Sequence, residues 1–519
     1  MKMKNCRPKK QLLALSLAMV ASGLACREGL AQQGYASSAT SKVQQVVLST
    51  GGGGVEAQQS ATGSAGSSSS VNTINSTIQI SGGYRGSIPD PKAPQGTLTL
   101  TIAEAIRRGL QFNLGSVTAG VSVRQARAQR LAALSQMLPN IYGTLTETSA
   151  KVDLQTSGLT ASAFGGRVAV PTTVGPFHYY SALGNVSEEL SLTAVHNLRQ
   201  SEALLQAAQM SEAGARELIV LAVGGTYLRV IANRANLLSQ EAQVTQSEAS
   251  YKLAADQYAA GTKTIIDSNK SLVELRTQQQ RLSALRGDLL KEVMQFARLI
   301  GLPAGQQLVL SEDLPVQVPG AIPLEEGLKL ALDGRPDLKA VRLQLKAAAE
   351  ARRASKSEYL PSLSVNGNYG LEGINPDKGV SAYQISAGVN FHIFDSGRVR
   401  ADIDRADAAY SQLQARYDDL EGAVDLEVRQ AYVDLLVASE QLGVAQENRQ
   451  LAAETLTQSV DRFASGVTNS VEVVQSQETV AAAERDYIGT LFSLNLSRIG
   501  LAKAIGQAGQ FIPNMLKGN

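Results

Sequence analysis

From Val424 the chain carries a heptad seam spaced alternately four and three: Val424, Val428, Ala431, Leu435, Ala438, Leu442, Ala445. Arg449 interrupts it, and it resumes at Ala452, Leu456, Ser459 and Phe463. This spacing keeps one stripe on one side of an α-helix and winds it left-handedly against a neighbour. No Pro falls between Pro376 and Pro513, and the run is rich in Ala, Leu, Glu, Gln and Arg, all good helix formers. A helix from about Arg398 to Ser465 would be ~100 Å long at about 1.5 Å per residue. Ordinary globular domains do not hold such a rod. Taken alone, the stretch fits a generic coiled coil.

The 519 residues suffice for two or three domains and a large core. A net charge of +2 gives no reason to expect nucleic acid or another polyanion as partner. Trp is absent and aromatics make up 5%, as suits long helices packed through Ala and Leu. Cys6 and Cys26 are the only cysteines, so the body of the chain offers no disulfide or thiolate site. Residues 1–31 read as an export signal: Lys2, Lys4, Arg7, Lys9 and Lys10, then an apolar run from Leu12 to Ala25, then small residues suited to cleavage after Ala31. The rival is cleavage before Cys26 with a lipid on that thiol, since Gly23-Leu24-Ala25-Cys26 weakly resembles a lipobox. No other stretch of about 18 apolar residues exists, so no spanning helix is expected in the mature chain. Residues 32–96 are Gly/Ser-rich low complexity, read as a disordered linker.

Beyond it the chain repeats itself. Ala103 to Leu110 matches Glu325 to Leu332, and Leu138-Pro139 matches Leu360-Pro361, at a shift of 222. Farther on, the shift is 205: Tyr227 with Tyr432, Tyr258 with Phe463, Gly261 with Gly466, Asp267 with Glu472, Ile300-Gly301 with Ile505-Gly506. A constant shift across so many landmarks marks two structural repeats, drawn at 97–301 and 322–510. Each holds a short helix, a second helix stopped by Leu-Pro, two strands, a very long helix, a Gly-marked turn and a shorter helix. The strands are expected at about 140–151, 179–192, 362–371 and 383–394. Leu363, Val365, Tyr369 and Leu371 alternate with Ser362, Ser364, Asn368 and Gly370; Ile385, Val389, Phe391 and Ile393 alternate with Gln384, Asn390 and His392. Four such strands cannot close a barrel, for which ~8 is the practical minimum. Three chains of four would give twelve and remove every edge, at about the 10-residue length that tilted membrane strands need.

The doubled order resembles the TolC-like outer membrane efflux protein family over about 97–510. The matching pieces include Leu138-Pro139, Leu360-Pro361, Phe391 to Arg400 entering the long helix, and the turns Tyr258-Ala-Ala-Gly261 and Phe463-Ala-Ser-Gly466. The resemblance implies an α+β membrane protein: a homotrimer whose twelve-stranded β-barrel, four strands per chain, sits in outer membrane lipid above a twelve-helix periplasmic α-barrel. It implies a passive exit duct of a tripartite efflux or type I secretion system, with a periplasmic adaptor and an inner membrane pump as partners. The alternative is a periplasmic coiled-coil scaffold or adhesin without a pore.

No Ser/His/Asp order, Gly-rich phosphate loop or Cys/His metal spacing is present, so neither an enzyme nor a cofactor protein is expected. His178, His196 and His392 are scattered; a ligand role shared by the first two is the weaker reading. The resemblance makes Tyr258, Gly261, Thr262 and Lys263, with Phe463, Gly466, Val467 and Thr468, the tips that meet the adaptor. It makes Asp267 and Glu472 a ring of acids at the periplasmic aperture; Gln475, where the family often has an acid, is neutral here. The plainer reading of each is hairpin chemistry: a left-handed Gly ending a helix, and an acid in the first turn of the next.

Overall fold

The structure, a computed structural model, describes residues 84, 86–93, 96–156, 171–316, 323–391 and 393–515. The expected signal peptide, Cys26, residues 32–83 of the linker and His392 lie outside the described residues.

The elements run β1 (Leu98–Leu100), α1 (Ile102–Phe112), α2 (Leu114–Ser135), β2 (Asn140–Asp153), β3 (Thr173–Leu190), α3 (Leu192–Ala259), α4 (Ile265–Leu299) and β4 (Leu308–Leu310). After these come α5 (Leu324–Gly334), α6 (Pro336–Ser357), β5 (Ser362–Gly373), β6 (Val380–Asn390), α7 (Arg398–Ala464), α8 (Ser470–Ala504) and α9 (Ala508–Met515). The pairs α1/α5 and α2/α6 stand 222 residues apart, and α4/α8 stand 205 apart. Local chemistry sets the helix starts. Thr101 accepts from the Glu104 amide at the head of α1, Asn113 from the Gly115 amide at the head of α2, and Pro336 opens α6 where its missing N–H costs nothing.

The 67-residue α7 buries Val424, Val428, Leu435, Ala438, Leu442, Ala445, Ala452, Ser459 and Phe463, the stripe read from the sequence. Arg449 is exposed; its guanidinium meets Glu484 at 2.8 Å and lies over Tyr487.

The sheet order is β2–β3–β5–β6, antiparallel throughout. Its register sorts side chains by face, because alternate residues point to opposite sides. One face carries the rows Ile141–Val186–Gly367–Ile385 and Leu145–Ala182–Leu371–Ser381. The other carries Tyr142–Asn185–Asn368–Gln384 and Asn140–Ser187–Asn366–Ser386. The apolar face is bare: Leu145 is 85% exposed, and Tyr383 and Ile385 are each 76% exposed.

Two strands differ from the spans read in sequence. β3 begins at Thr173 rather than about 179, because its early residues find partners on β2, Val174 opposite Val152. β6 runs 380–390 rather than 383–394. Its last pair is Asn390 with Ser362, and Pro361 beyond has no N–H to extend the ladder. The expected disordered linker also ends earlier than 96. The Tyr84 carbonyl accepts from Asn113 at 2.7 Å, and Asp90 pairs with Arg108 at 2.9 Å with both side chains nearly buried.

Beside the sheet, helices pack in the order α2, α3, α6, α7; toward the turns the order is α4, α3, α8, α7. The largest core lies midway along α3. Tyr227 and Phe296 meet edge to face at 5.9 Å among Leu100, Ile219, Ile499 and Ile512. Leu98 to Leu100 pair in parallel with Leu308 to Leu310 over this core, and α9 docks on it through Ile512. Sequence periodicity indicated neither feature.

The hairpin tips as candidate functional site

Both long helices end in the same way. Gly261 and Gly466 adopt φ of 72° and 74°, left-handed values that an ordinary side chain disfavours. The Thr262 amide donates to the Gln257 carbonyl and the Gly261 amide to the Tyr258 carbonyl. The Val467 amide donates likewise to Arg462 and the Gly466 amide to Phe463, so the last carbonyls of α3 and α7 are satisfied. A second helix follows within four residues of each Gly.

The two tips are tied together. Ser470 at the start of α8 donates to Asp267 Oδ1 at 2.8 Å, while Thr264 donates to Oδ2 at 2.8 Å. Lys263 donates to the Thr468 carbonyl at 2.9 Å and sits 5.0 Å from the Phe463 ring centroid. The Thr264 hydrogen bond, then that from Ser470, then the Lys263 charge hold the Asp267 carboxyl below its ordinary range. Glu472 accepts from Thr468 and lies 3.4 Å from Arg462.

The residues singled out in sequence therefore gather at one end, in two environments. Tyr258, Val467, Ile265 and Ile266 are exposed. Phe463 is buried against Ala254 and Val473, so its part is to hold the tip together. Asp267 and Glu472 are both engaged by neighbours in their own chain.

Above the tips the helix seams turn polar. Gln240 donates to Gln278 at 2.6 Å, Gln278 to Glu274 at 2.5 Å and Gln477 to Ser250 at 2.7 Å; Ser459 and Ser476 meet at 2.8 Å. Sequence reading missed these partners. The available signal was Ser and Gln falling at seam spacing, as at Ser459. The histidines do not converge. His178 lies in β3 and meets Glu147 at 3.2 Å, whereas His196 on α3 meets Glu350 at 2.7 Å. Among the described residues no group of three metal-ligating side chains forms.

This architecture, a four-stranded sheet carried on paired helical hairpins, is that of TolC-like channels. VceC from Vibrio cholerae superposes with a TM-score of 0.66 at 17% identity, covering 78% of this chain and 96% of that one. CusC superposes at 0.67 and 17%, covering 83% and 95%. Residues 327–507, nearly the whole second repeat, match the outer membrane efflux protein family. The pyoverdine export outer membrane protein OpmQ of Pseudomonas aeruginosa is 26% identical over 407 residues, 76% of this chain and 82% of the relative. The probable efflux pump outer membrane protein TtgC of Pseudomonas putida is 22% identical over 426 residues, 78% and 82%. The second repeat thus matches the outer membrane efflux protein family, and about three quarters of the chain is similar to outer membrane efflux proteins.

Proposed function

We propose that this chain is the outer membrane exit duct of a tripartite pump. It gives cargo an aqueous path while an inner membrane transporter supplies the energy. The observation that carries this reading is the bare apolar face of a sheet with two open edges, backed by a polar face of Asn, Ser, Thr and Gln with Glu189 and Glu372, and continuous with helices of 67 and 68 residues. In water such a face and such edges are an aggregation liability. In lipid, three copies supply twelve strands, every ladder closes, and the polar face lines the bore. The same threefold symmetry makes a twelve-helix tunnel below.

On this reading Gly261, Thr262, Lys263, Gly466, Val467 and Thr468, flanked by exposed Tyr258, form the surface that meets an adaptor, with Phe463 bracing it from beneath. Asp267 and Glu472, in three copies, edge the aperture. The names of the relatives favour the duct over a pore-less scaffold.

The test is fractionation followed by conductance. The protein should require detergent, sediment with outer membranes, and produce stepwise conductance in planar bilayers. A detergent-independent monomer without conductance would sink the proposal.

A further inference from the structure

The seam along α7 is broken at Arg449, where the four-three spacing calls for an apolar side chain. The guanidinium turns away from the seam. Its Nε donates to Glu484 of α8 at 2.8 Å, and its plane lies 4.7 Å from the Tyr487 ring centroid. At the same positions, 205 residues earlier, the first repeat has Val244, Gln279 and Leu282. The break therefore belongs to the second repeat alone. With Arg449 turned outward, a groove of about 340 Å³ stays open between α3, α7 and α8. The α3 side of it is lined by Ala235, Ser239 and Ala242, which are too small to fill it.

Gln243 is the fourth α3 residue in the groove. It is 8% exposed, and its carboxamide makes no hydrogen bond among the described residues. Gln240, three residues before it and equally buried, is satisfied by Gln278 at 2.6 Å. Buried amides on this seam thus find partners where the fold supplies them, and at Gln243 it supplies none. A buried amide left idle costs free energy that a bound group able to pair with it would return. Counted from the helix ends at Ala259, Ala464 and Ser470, Gln243 stands 16 residues up, Arg449 15 and Glu484 14. The idle amide, the ion pair and the ring meet at one level, roughly 22 Å above the tips at about 1.5 Å per residue.

We propose that this groove binds a small, flat aromatic molecule carrying an amide or a hydroxyl. That polar group pairs with the Gln243 carboxamide and the Ser239 hydroxyl. The ring lies on the guanidinium face of Arg449 turned away from Tyr487, because a planar guanidinium stacks on aromatic faces and 45% of this side chain is exposed. Glu484 fixes the guanidinium plane and offsets its charge, so the site asks for no net charge on the ligand. The volume falls at the lower end of the range of small-molecule sites. The groove is built within one chain and uses neither the tips nor the sheet, so it stands whether or not the chain is a duct.

The probe is 2-aminobenzamide, a flat, uncharged and fluorescent aromatic amide, offered to the full-length protein in detergent. Equilibrium dialysis should show saturable uptake. Gln243→Leu should weaken it by about tenfold, and Arg449→Leu, which makes the seam apolar again, should weaken it as well. Tyr258→Ala at the tips should leave it unchanged. Cyclohexanecarboxamide, which keeps the amide but is not flat, should compete poorly, and so should ethylbenzene, which is flat but has no amide. Uptake that never saturates, or that is the same in both groove variants, is partition into detergent and overturns the site. Equal competition by either analogue overturns the assigned chemistry. A variant that misfolds would imitate lost binding, so location is also read directly. The chain has no Trp, and Leu238 is 60% exposed on α3 beside the groove. Emission from Leu238→Trp should be quenched by the probe to saturation, and far more than that from Tyr258→Trp. Equal quenching at both positions counts against the groove.

Discussion

Ser470 donates a hydrogen bond to Asp267 across the two hairpin tips, at 2.8 Å. Two helices 205 residues apart in their starting positions therefore share one carboxylate. The same carboxylate is the one proposed to edge the aperture. A ring of such acids would favour cations while its hydrogen bonds hold the tips closed.

Replacing both acids, Asp267→Ala with Glu472→Ala, removes the Ser470 and Thr468 contacts together. Conductance in planar bilayers should rise and cation preference should fall. Unchanged values for both would take these residues out of the gate.

The Asp267 contact should also respond to acid. Its folded pKa is depressed, so its stabilising contribution is fully present above the unfolded carboxyl value and is lost as pH falls through the folded one. Conductance should stay low down to the ordinary carboxylate range and rise only below it. In Asp267→Asn that acid-dependent rise should be absent.

Gly466→Pro forbids the left-handed φ and deletes the amide that donates to Phe463. Gly261→Val has open space around its Cβ but pays about 1–2 kcal/mol in backbone strain. Both variants should lose cross-linking to an adaptor while the oligomer persists on gels. Normal export by either would argue against docking at the tips.

Arg335 is 4% exposed and holds Asp337 at 2.7 Å and Glu427 at 2.6 Å, with a further bond to the Ala504 carbonyl. Burial alone would raise the Glu427 carboxyl, yet Lys503 and Arg335 outweigh it and keep the group below its usual range. Arg335→Met strips Asp337 of its ion partner and leaves Glu427 to Lys503 alone, a loss of about 1–3 kcal/mol. Thermal unfolding in detergent should show a lower midpoint at neutral pH. The deficit should shrink in acid, as the stranded carboxylates become protonated.

Tyr227 is fully buried, and its hydroxyl donates to the Leu100 carbonyl and to Glu312, which also accepts the Ile102 amide. Tyr227→Phe should cost about 1–3 kcal/mol, since Glu312 loses a partner while remaining partly buried. Its repeat counterpart Tyr432 is only partly buried, so Tyr432→Phe should cost less. Equal losses in denaturant titrations would contradict the difference in packing.

The features legible in sequence were those repeated many times along one element. The α7 stripe recurs over eleven helical positions, and Gly261 and Gly466 mark turns whose only tolerant residue is Gly. Short or unrepeated features gave no such signal. β1 and β4, three residues each, are too brief to show alternation, and their pairing spans some 210 residues. α9 follows Gly506 and contains Gly509 and Pro513, which read as an ending rather than a helix. Ser459 falls on the seam, but its partner Ser476, like Gln240 for Gln278 and Ser250 for Gln477, stands on another helix, at a distance in sequence that periodicity does not measure. Phe463 and Tyr258 occupy matched positions, yet one is buried and the other exposed; the Lys263 side chain that covers Phe463 comes from the other repeat.

The parallel clasp of Leu98–Leu100 on Leu308–Leu310 fixes where the first described residues join the helices. They join midway along α3, level with Tyr227, away from both the four-stranded sheet and the tips. Changes to residues 86–93, which are held at this height by the Asp90–Arg108 pair and by Ala93 on the core, should therefore disturb the packing around the clasp before they disturb the tips.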